Sequence, residues 1–99
     1  VIAECLQFLT PDKLAGHFHD TFQNALNNVK ISLEYGIKTF DSSVGGLGGC
    51  PYSPGAKGNV STEKVNDLLL SMGYETNLNI KKIKECNKIA LNLKEHGKL

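Results

Sequence analysis

Apolar residues recur at helical spacing in four stretches of the chain, and residues that start or stop helices bound them. The first stretch, residues 1–9, ends before Pro11. The second follows Asp20 or Thr21, whose oxygens can accept hydrogen bonds from the free N–H groups of a first turn. It stops at Gly36, which suits the position just beyond a helix end. Its predicted inward face consists of Phe22, Ala25, Leu26, Val29 and Leu33.

Two more helices are predicted in the second half of the chain. The third begins after Ser61, a good N-terminal cap, and stops at Gly73. Its apolar face holds Val65, Leu68, Leu69 and Met72. The last helix ends near Gly97, and we expect its lysines to point into solvent. Its inward residues are Ile80, Ile83, Ala90 and Leu93, and its outward ones are Lys81, Lys82, Lys84, Lys88 and Lys94.

Short apolar runs between these helices are typical of strands. They are residues 14–18 and residues 37–40, with Val60 as a further very short strand. Strands that alternate with helices indicate parallel β/α units and an α/β fold. Two or three strands cannot close a barrel, and a complete (β/α)₈ barrel needs roughly 250 residues. If the chain has that fold, its 99 residues form the C-terminal portion of one catalytic domain.

A glycine-rich segment, residues 41–59, follows the second predicted strand. Glycine loses much conformational freedom on ordering, so such a segment indicates a loop that moves or that brings its backbone close to a ligand. Cys50 lies in its middle, followed by Pro51, and is a candidate reactive thiol. A buried inert thiol is the other interpretation of a free cysteine. The glycines are Gly45, Gly46, Gly48, Gly49, Gly55 and Gly58.

His17 and His19 stand where the first predicted strand ends. Residues two apart on a strand point to the same side, so both imidazoles can face one point. Two imidazoles and one oxygen donor suit a divalent ion. Taken alone, the motif is more often explained by two histidines in ordinary hydrogen bonds. The C-terminal end of the next strand, however, leads through the cysteine loop to Asn59, and active sites of β/α barrels lie at that edge.

The segment Ser43-Val-Gly-Gly-Leu-Gly-Gly-Cys-Pro-Tyr52 resembles the active-site segment of hydroxymethylglutaryl-CoA lyases, which usually have alanine at the position of Gly45. The likeness runs from about Leu14 into the last helix. It implies the C-terminal part of a (β/α)₈ TIM barrel. It also implies a carbon–carbon lyase that cleaves hydroxymethylglutaryl-CoA into acetyl-CoA and acetoacetate by metal-assisted retro-Claisen chemistry. Such enzymes serve leucine catabolism and ketone body formation.

The same resemblance assigns site residues. It implies that His17, His19 and Asn59 bind a divalent cation, Mg²⁺ or Mn²⁺. Cys50 is then expected to deliver or relay a proton, and His17 is the local candidate for the base. The family's remaining metal ligand, an aspartate, and its catalytic arginine have no counterpart in this chain, so we expect activity to require the N-terminal half.

The two other acidic residues near the site are not expected to replace that aspartate. Asp20 is expected to cap a helix or to pair with a histidine, and Asp41 to be structural.

Two alternative functions are open. Condensing synthases of the isopropylmalate and homocitrate type share the His-x-His and Gly-Asn features but typically carry Gly-Glu-Arg where this chain has Gly-Cys-Pro. The chain could also be a non-catalytic fragment that serves assembly.

Composition excludes other classes of function. The net charge is +1 with 40% hydrophobic residues, so there is no basic excess for nucleic acid. The apolar runs are too short to span a membrane. Three widely spaced cysteines predict reduced thiols, with Cys5 and Cys86 inert on apolar helix positions.

The resemblance also sets expectations about partners. We expect an acyl-CoA substrate and a homo-oligomer, a dimer, for the intact enzyme. The expected compartment is the cytoplasm in a bacterium or the mitochondrial matrix in a eukaryote.

Overall fold

Two parallel strands joined by a helix form the centre of the structure, a computed structural model that describes residues 1–48 and 58–95, the side chains of residues 94 and 95 excepted. The helices and strands are α1 (Ile2–Cys5), β1 (Gly16–His17), α2 (Ala25–Glu34), β2 (Phe40–Asp41), α3 (Thr62–Ser71) and α4 (Ile80–Glu95). Strands β1 and β2 pair in parallel, with Gly16 opposite Phe40 and His17 opposite Asp41. The order agrees with the predicted alternation, although each strand is shorter than its apolar run.

Helix α2 is the crossover between the two strands. Ala25 and Val29 are fully buried on its inner face, as predicted. The helix ends where Gly36 takes a positive φ of 89° and donates its N–H to the Leu33 carbonyl at 2.9 Å. That conformation disfavours residues with a side chain, so the predicted stop at Gly36 is confirmed.

Helix α3 begins as its sequence predicts. The Ser61 hydroxyl accepts a hydrogen bond from the Lys64 N–H at 3.1 Å, which satisfies one free donor of the first turn. Val65 is buried on its inner face, and Met72 at its end is exposed, against prediction. The main hydrophobic cluster lies between α2 and α3. Its buried residues are Ala25, Val60 and Val65, and Phe18, Leu26 and Leu69 pack around them.

Helix α4 packs against α3 and against a 3₁₀ turn at Val44–Gly46. Ala90 is buried and Ile83 is half-buried, as predicted, but Ile80 and Leu93 are 36% and 39% exposed. The helix contacts its neighbours along a narrower face than its apolar residues indicated. The four lysines of α4 whose side chains are described are exposed, and Gly97, its predicted end, lies outside the described residues.

Two predictions near the start of the chain are wrong. The helix predicted over residues 1–9 is a single turn at Ile2–Cys5, and Phe8 is exposed. Phe22, predicted to face the core, is 87% exposed and has a φ of 55°. The reason is that the Asp20 carboxylate accepts the Ala25 N–H at 3.3 Å, so α2 starts at Ala25 and the preceding residues turn outside it.

Two remaining expectations concern thiols and membranes. Cys5 is half-buried and Cys86 is exposed, so Cys86 does not occupy the buried position predicted for it; both thiols are free. In the part of the chain that the structure describes, no helix combines the length and the apolar composition needed to cross a bilayer.

Candidate metal and active site

The carboxyl ends of β1 and β2 bring two polar side chains together. The parallel register sets His17 directly beside Asp41, and His17 Nδ1 lies 3.0 Å from Asp41 Oδ2. Both side chains are more than half exposed, at 56% and 65%. Asp41 is therefore the carboxylate that contacts this histidine. The sequence had indicated only a structural role for Asp41 and had given Asp20 as a helix cap or a partner of a histidine.

Asp20 has other partners. Its carboxylate accepts the Ala25 N–H at the start of α2, and its second oxygen lies 4.0 Å from Lys64 Nζ. Asp20 thus accepts a free N–H of the first turn of α2, as predicted, although the N-cap position itself is Asn24.

A short segment of backbone carries Asn59 to the same edge. The Asp20 N–H donates to the Gly58 carbonyl at 3.0 Å, and the Val60 N–H donates to the Phe18 carbonyl at 2.9 Å. These two bonds pair His19 with Asn59 in an antiparallel bridge. Val60 was expected to form a very short strand, and the structure has isolated bridges at the residues on either side of it. Asn59, forty positions along the chain, thus becomes a direct neighbour of His19.

Gly58 permits this approach. A Cβ atom at this position would overlap the carbonyl oxygen of Gly46. Two parts of the glycine-rich segment, around Gly46 and around Gly58, therefore touch with no room for a side chain between their backbones. The predicted approach of this segment to a ligand stays a prediction.

The amide of Asn59 is oriented by a backbone carbonyl. Its Nδ2 donates to the Leu47 carbonyl at 3.0 Å. Its Oδ1 is buried, and no described residue gives it a hydrogen bond. A buried acceptor without a partner is destabilising, because the group has lost its water and gained nothing in return. A cation or a donor at this oxygen would satisfy it.

The two imidazoles lie side by side. The ring centroids of His17 and His19 are 5.7 Å apart and the ring planes meet at 48°. An imidazole nitrogen binds a divalent metal at about 2.1 Å, so rings at this separation can share one ion. No cluster of three His, Cys, Asp or Glu residues with metal-binding geometry occurs within residues 1–48 and 58–95. Among the described residues, Asn59 Oδ1, an amide oxygen, has the chemistry to serve as a third ligand.

Glu63 is a residue of this region that the sequence did not indicate. Its carboxylate accepts the Gly45 N–H at 3.2 Å and the Ser61 hydroxyl at 3.1 Å. It thereby ties the first turn of α3 to the start of the glycine-rich segment. The sequence does show an acidic residue two positions after the predicted cap Ser61, in the first turn of a helix, where the helix dipole favours negative charge. That feature could have indicated Glu63.

A cavity of about 410 Å³ opens beside Asn59. Gly45, Gly46, Lys64 and Asn87 contribute to its wall. The Asn87 Oδ1 atom is buried there without a hydrogen-bond partner among the described residues, and a Cβ on Gly45 would lie 2.8 Å from it. The glycine at position 45, where the resemblance leads one to expect alanine, thus leaves room for the Asn87 side chain.

Cys50, the candidate thiol, lies outside the described residues, as does His96. The other two cysteines are Cys5 on α1 and Cys86 on α4, and neither belongs to the elements that carry His17, His19 and Asn59.

Comparison with known proteins identifies the family of this chain. The model of the HMGL-like family matches residues 2–89. The chain belongs to the HMGL-like family. Among its relatives is the hydroxymethylglutaryl-CoA lyase of Pseudomonas mevalonii, 53% identical over 79 residues that make up 80% of this chain and 26% of that protein. The mitochondrial hydroxymethylglutaryl-CoA lyase of Macaca fascicularis is 40% identical over 102 aligned residues, covering 100% of this chain and 31% of that protein.

A solved HMGL-like structure has the same fold. The HMG-CoA lyase from Brucella melitensis superimposes with a TM-score of 0.90 at 45% identity, over 95% of this chain and 33% of that one. The chain thus spans about a quarter to a third of the length of these relatives. The prediction of parallel strands alternating with helices, as part of a (β/α)₈ barrel, is confirmed.

Proposed function

We propose that this chain provides the metal-binding and proton-transfer part of a hydroxymethylglutaryl-CoA lyase, which cleaves hydroxymethylglutaryl-CoA into acetyl-CoA and acetoacetate. The observation that supports the proposal is that the fold brings three residues with suitable donor atoms together: the rings of His17 and His19 lie 5.7 Å apart, and Asn59, whose Oδ1 is buried without a described partner, is the main-chain bridge partner of His19. The relatives named as hydroxymethylglutaryl-CoA lyases support it.

His17, His19 and Asn59 would hold the cation, Mg²⁺ or Mn²⁺. A bound divalent cation would polarise the hydroxyl and carboxylate oxygens of the substrate, which makes the tertiary alcohol easier to deprotonate. The ligands that this chain would give to the cation are all uncharged. Imidazoles and one amide bind hard cations weakly without a carboxylate, so affinity for Mg²⁺ would depend on a further acidic ligand.

His17 cannot be both a ligand and the base. A neutral imidazole has one nitrogen with a free lone pair, and its other nitrogen is a donor. In this structure Nδ1 is occupied by Asp41, which leaves only Nε2. If Nε2 binds the cation, no lone pair accepts the proton of the alcohol. We favour the ligand role for His17, so that another group, such as the aspartate that the resemblance implies outside this chain, would act as the base.

Cys50 is proposed to donate the proton that completes the reaction. When the alcohol proton leaves, its oxygen becomes the ketone of acetoacetate and the carbon–carbon bond breaks. The bonding electrons pass to the thioester fragment as an enolate. The Sγ–H of Cys50 would protonate the α-carbon of that enolate, which yields acetyl-CoA. The support for this role is the sequence of the glycine-rich segment.

The test is a cleavage assay on the protein at its full natural length. Cys50→Ala should lower kcat by roughly 10²-fold, the usual contribution of a positioned proton-transfer group. Cys86→Ala, which removes an exposed thiol on α4, is the matched control and should leave kcat unchanged. A thiol reagent should inactivate the wild type, and substrate should protect it. Protection of Cys5 or Cys86 instead of Cys50 would contradict the assignment.

The remaining parts of the proposal concern partners. We propose an acyl-CoA substrate and a homodimer for the intact enzyme, with a role in leucine catabolism and ketone body formation. Relatives from a bacterium and from mitochondria support either predicted compartment, the bacterial cytoplasm or the mitochondrial matrix.

A further inference from the structure

We infer that Asp41 is a positioning residue, which fixes His17 in the Nδ1–H tautomer and so presents Nε2 as the metal-binding atom of the ring. This inference rests on the proposed function, in which His17 is a ligand. The observation behind it is the 3.0 Å hydrogen bond between His17 Nδ1 and Asp41 Oδ2.

The chemistry of the pair decides which nitrogen carries the proton. An aspartate carboxylate has acceptors only, so the hydrogen of this bond belongs to Nδ1. In a neutral ring Nε2 then keeps its lone pair. Histidines that bind metals commonly donate their other N–H to a carboxylate, which sets both the tautomer and the orientation of the ring.

The position of the pair follows from the fold. The parallel register places His17 opposite Asp41, twenty-four residues further along, with the α2 crossover between them. A slip of one residue would turn Asp41 to the other face of the sheet, so the same pairing that builds the strands also aligns the ring. Since both side chains are more than half exposed, the pair adds little to stability. The contact between Asp41 and His17 can nevertheless orient the imidazole ring.

Two measurements on the protein at its full natural length test the inference. Long-range ¹H–¹⁵N NMR of histidine-labelled protein, at a pH where the imidazoles are neutral and without metal, reports the tautomer of His17. We expect Nδ1–H in the wild type. In Asp41→Asn the new amide can donate to Nδ1, and the ring should change to Nε2–H. The same substitution in the catalytic triad of a serine protease leaves the histidine in the wrong tautomer, and activity is lost.

The second measurement is a titration with Co²⁺, whose visible spectrum reports binding and which imidazoles bind well. Asp41→Asn should weaken binding on the order of 10-fold, the effect typical of losing a carboxylate behind a metal ligand. Asp67→Asn removes the same charge from the exposed face of α3 and should leave both the tautomer and the Co²⁺ affinity unchanged.

The outcomes separate this inference from the proposed function. His17 in the Nε2–H form in the wild type overturns the positioning role, whether or not Asp41→Asn folds. So does an unchanged tautomer and Co²⁺ affinity in a folded Asp41→Asn variant. If the wild type shows Nδ1–H and the variant Nε2–H but neither binds Co²⁺, the orienting contact stands and the metal site of the proposed function is wrong.

Discussion

The two sides of the candidate site hold their donor atoms by different means. On the histidine side, His17 is exposed and another side chain, Asp41, contacts its ring across the parallel strands. On the asparagine side, the Oδ1 atom of Asn59 is buried and the amide is held by the carbonyl of Leu47. Both arrangements occupy one end of a polar group and leave the other end for a ligand.

The difference predicts how each side responds to mutation. An orienting side chain can be removed by one substitution, so the histidine side is sensitive at Asp41 as well as at the histidines. An orienting carbonyl belongs to the backbone, so the asparagine side tolerates changes at Leu47 but not a disturbance of the chain path. The path in turn depends on Gly58, whose backbone touches that of Gly46.

The largest effect is expected from Asn59→Leu. This variant removes the amide oxygen and places an apolar group where the ligand would bind. Titration with Mn²⁺, followed by electron paramagnetic resonance, should show affinity lowered by on the order of 100-fold, the upper end of effects seen even for residues behind a ligand. Asn59→Asp, which keeps an oxygen and adds a charge, should retain binding. Equal loss in both variants would mean that the amide is required for folding and not for the cation.

Gly58→Ala should displace the backbone that positions Asn59 without removing any candidate metal-binding atom. Its Cβ would overlap the Gly46 carbonyl, so the backbone must move, at a cost of about 2–3 kcal/mol in the free energy of unfolding. Gly73→Ala is the control: nothing lies near its Cβ, but its φ is 87°, so conformational strain alone should cost about 1 kcal/mol. Urea unfolding measures both. A smaller loss for Gly58→Ala than for Gly73→Ala would show that the close backbone contact does not exist.

Features that depend on neighbouring residues were predictable from sequence. Ser61 caps α3 and Gly36 ends α2, because capping and positive φ are properties of a few adjacent residues. The approach of His17 to His19 follows from the two-residue period of an extended chain. Phe22 was misplaced because the helical period continues through it in the sequence, whereas the Asp20 carboxylate caps the helix only at Ala25.

Features that depend on contacts between residues far apart in the chain could not be predicted from the sequence. The contact of Asp41 with His17 requires the register of two strands, which no local pattern specifies. The link from Glu63 to Gly45 joins residues eighteen positions apart. Asn59 was indicated by its place after the glycine-rich segment and by the family resemblance, but its position beside His19 depends on backbone bonds around Gly58 and Val60. Residues 1–9 carry an amphipathic pattern, but such a pattern forms a stable helix only where a partner surface covers it.

His19→Ala should weaken the histidine side less than Asn59→Leu weakens the other. It removes one imidazole, while His17 and the Asp41 contact are kept. The Mn²⁺ affinity should fall by on the order of 10-fold or more. The main-chain bridge between position 19 and Asn59 does not need the ring, so Asn59 should keep its place in the variant. An unchanged titration would remove His19 from the set of ligands.

Leu47→Ala should have the smallest effect on the cation and so gives the sharpest test of the comparison. The Leu47 carbonyl accepts both the backbone N–H of Asn59, at 3.1 Å, and its side-chain Nδ2, at 3.0 Å. Truncating the half-buried side chain leaves this carbonyl in place. Some stability should be lost with the apolar contacts, but the Mn²⁺ affinity of the folded protein should stay within about 2-fold, the range of surface substitutions. Asp41→Asn, measured in parallel, should lower it about 10-fold. Similar losses in the two variants would mean that the side chain of Leu47, and not the backbone, orients Asn59.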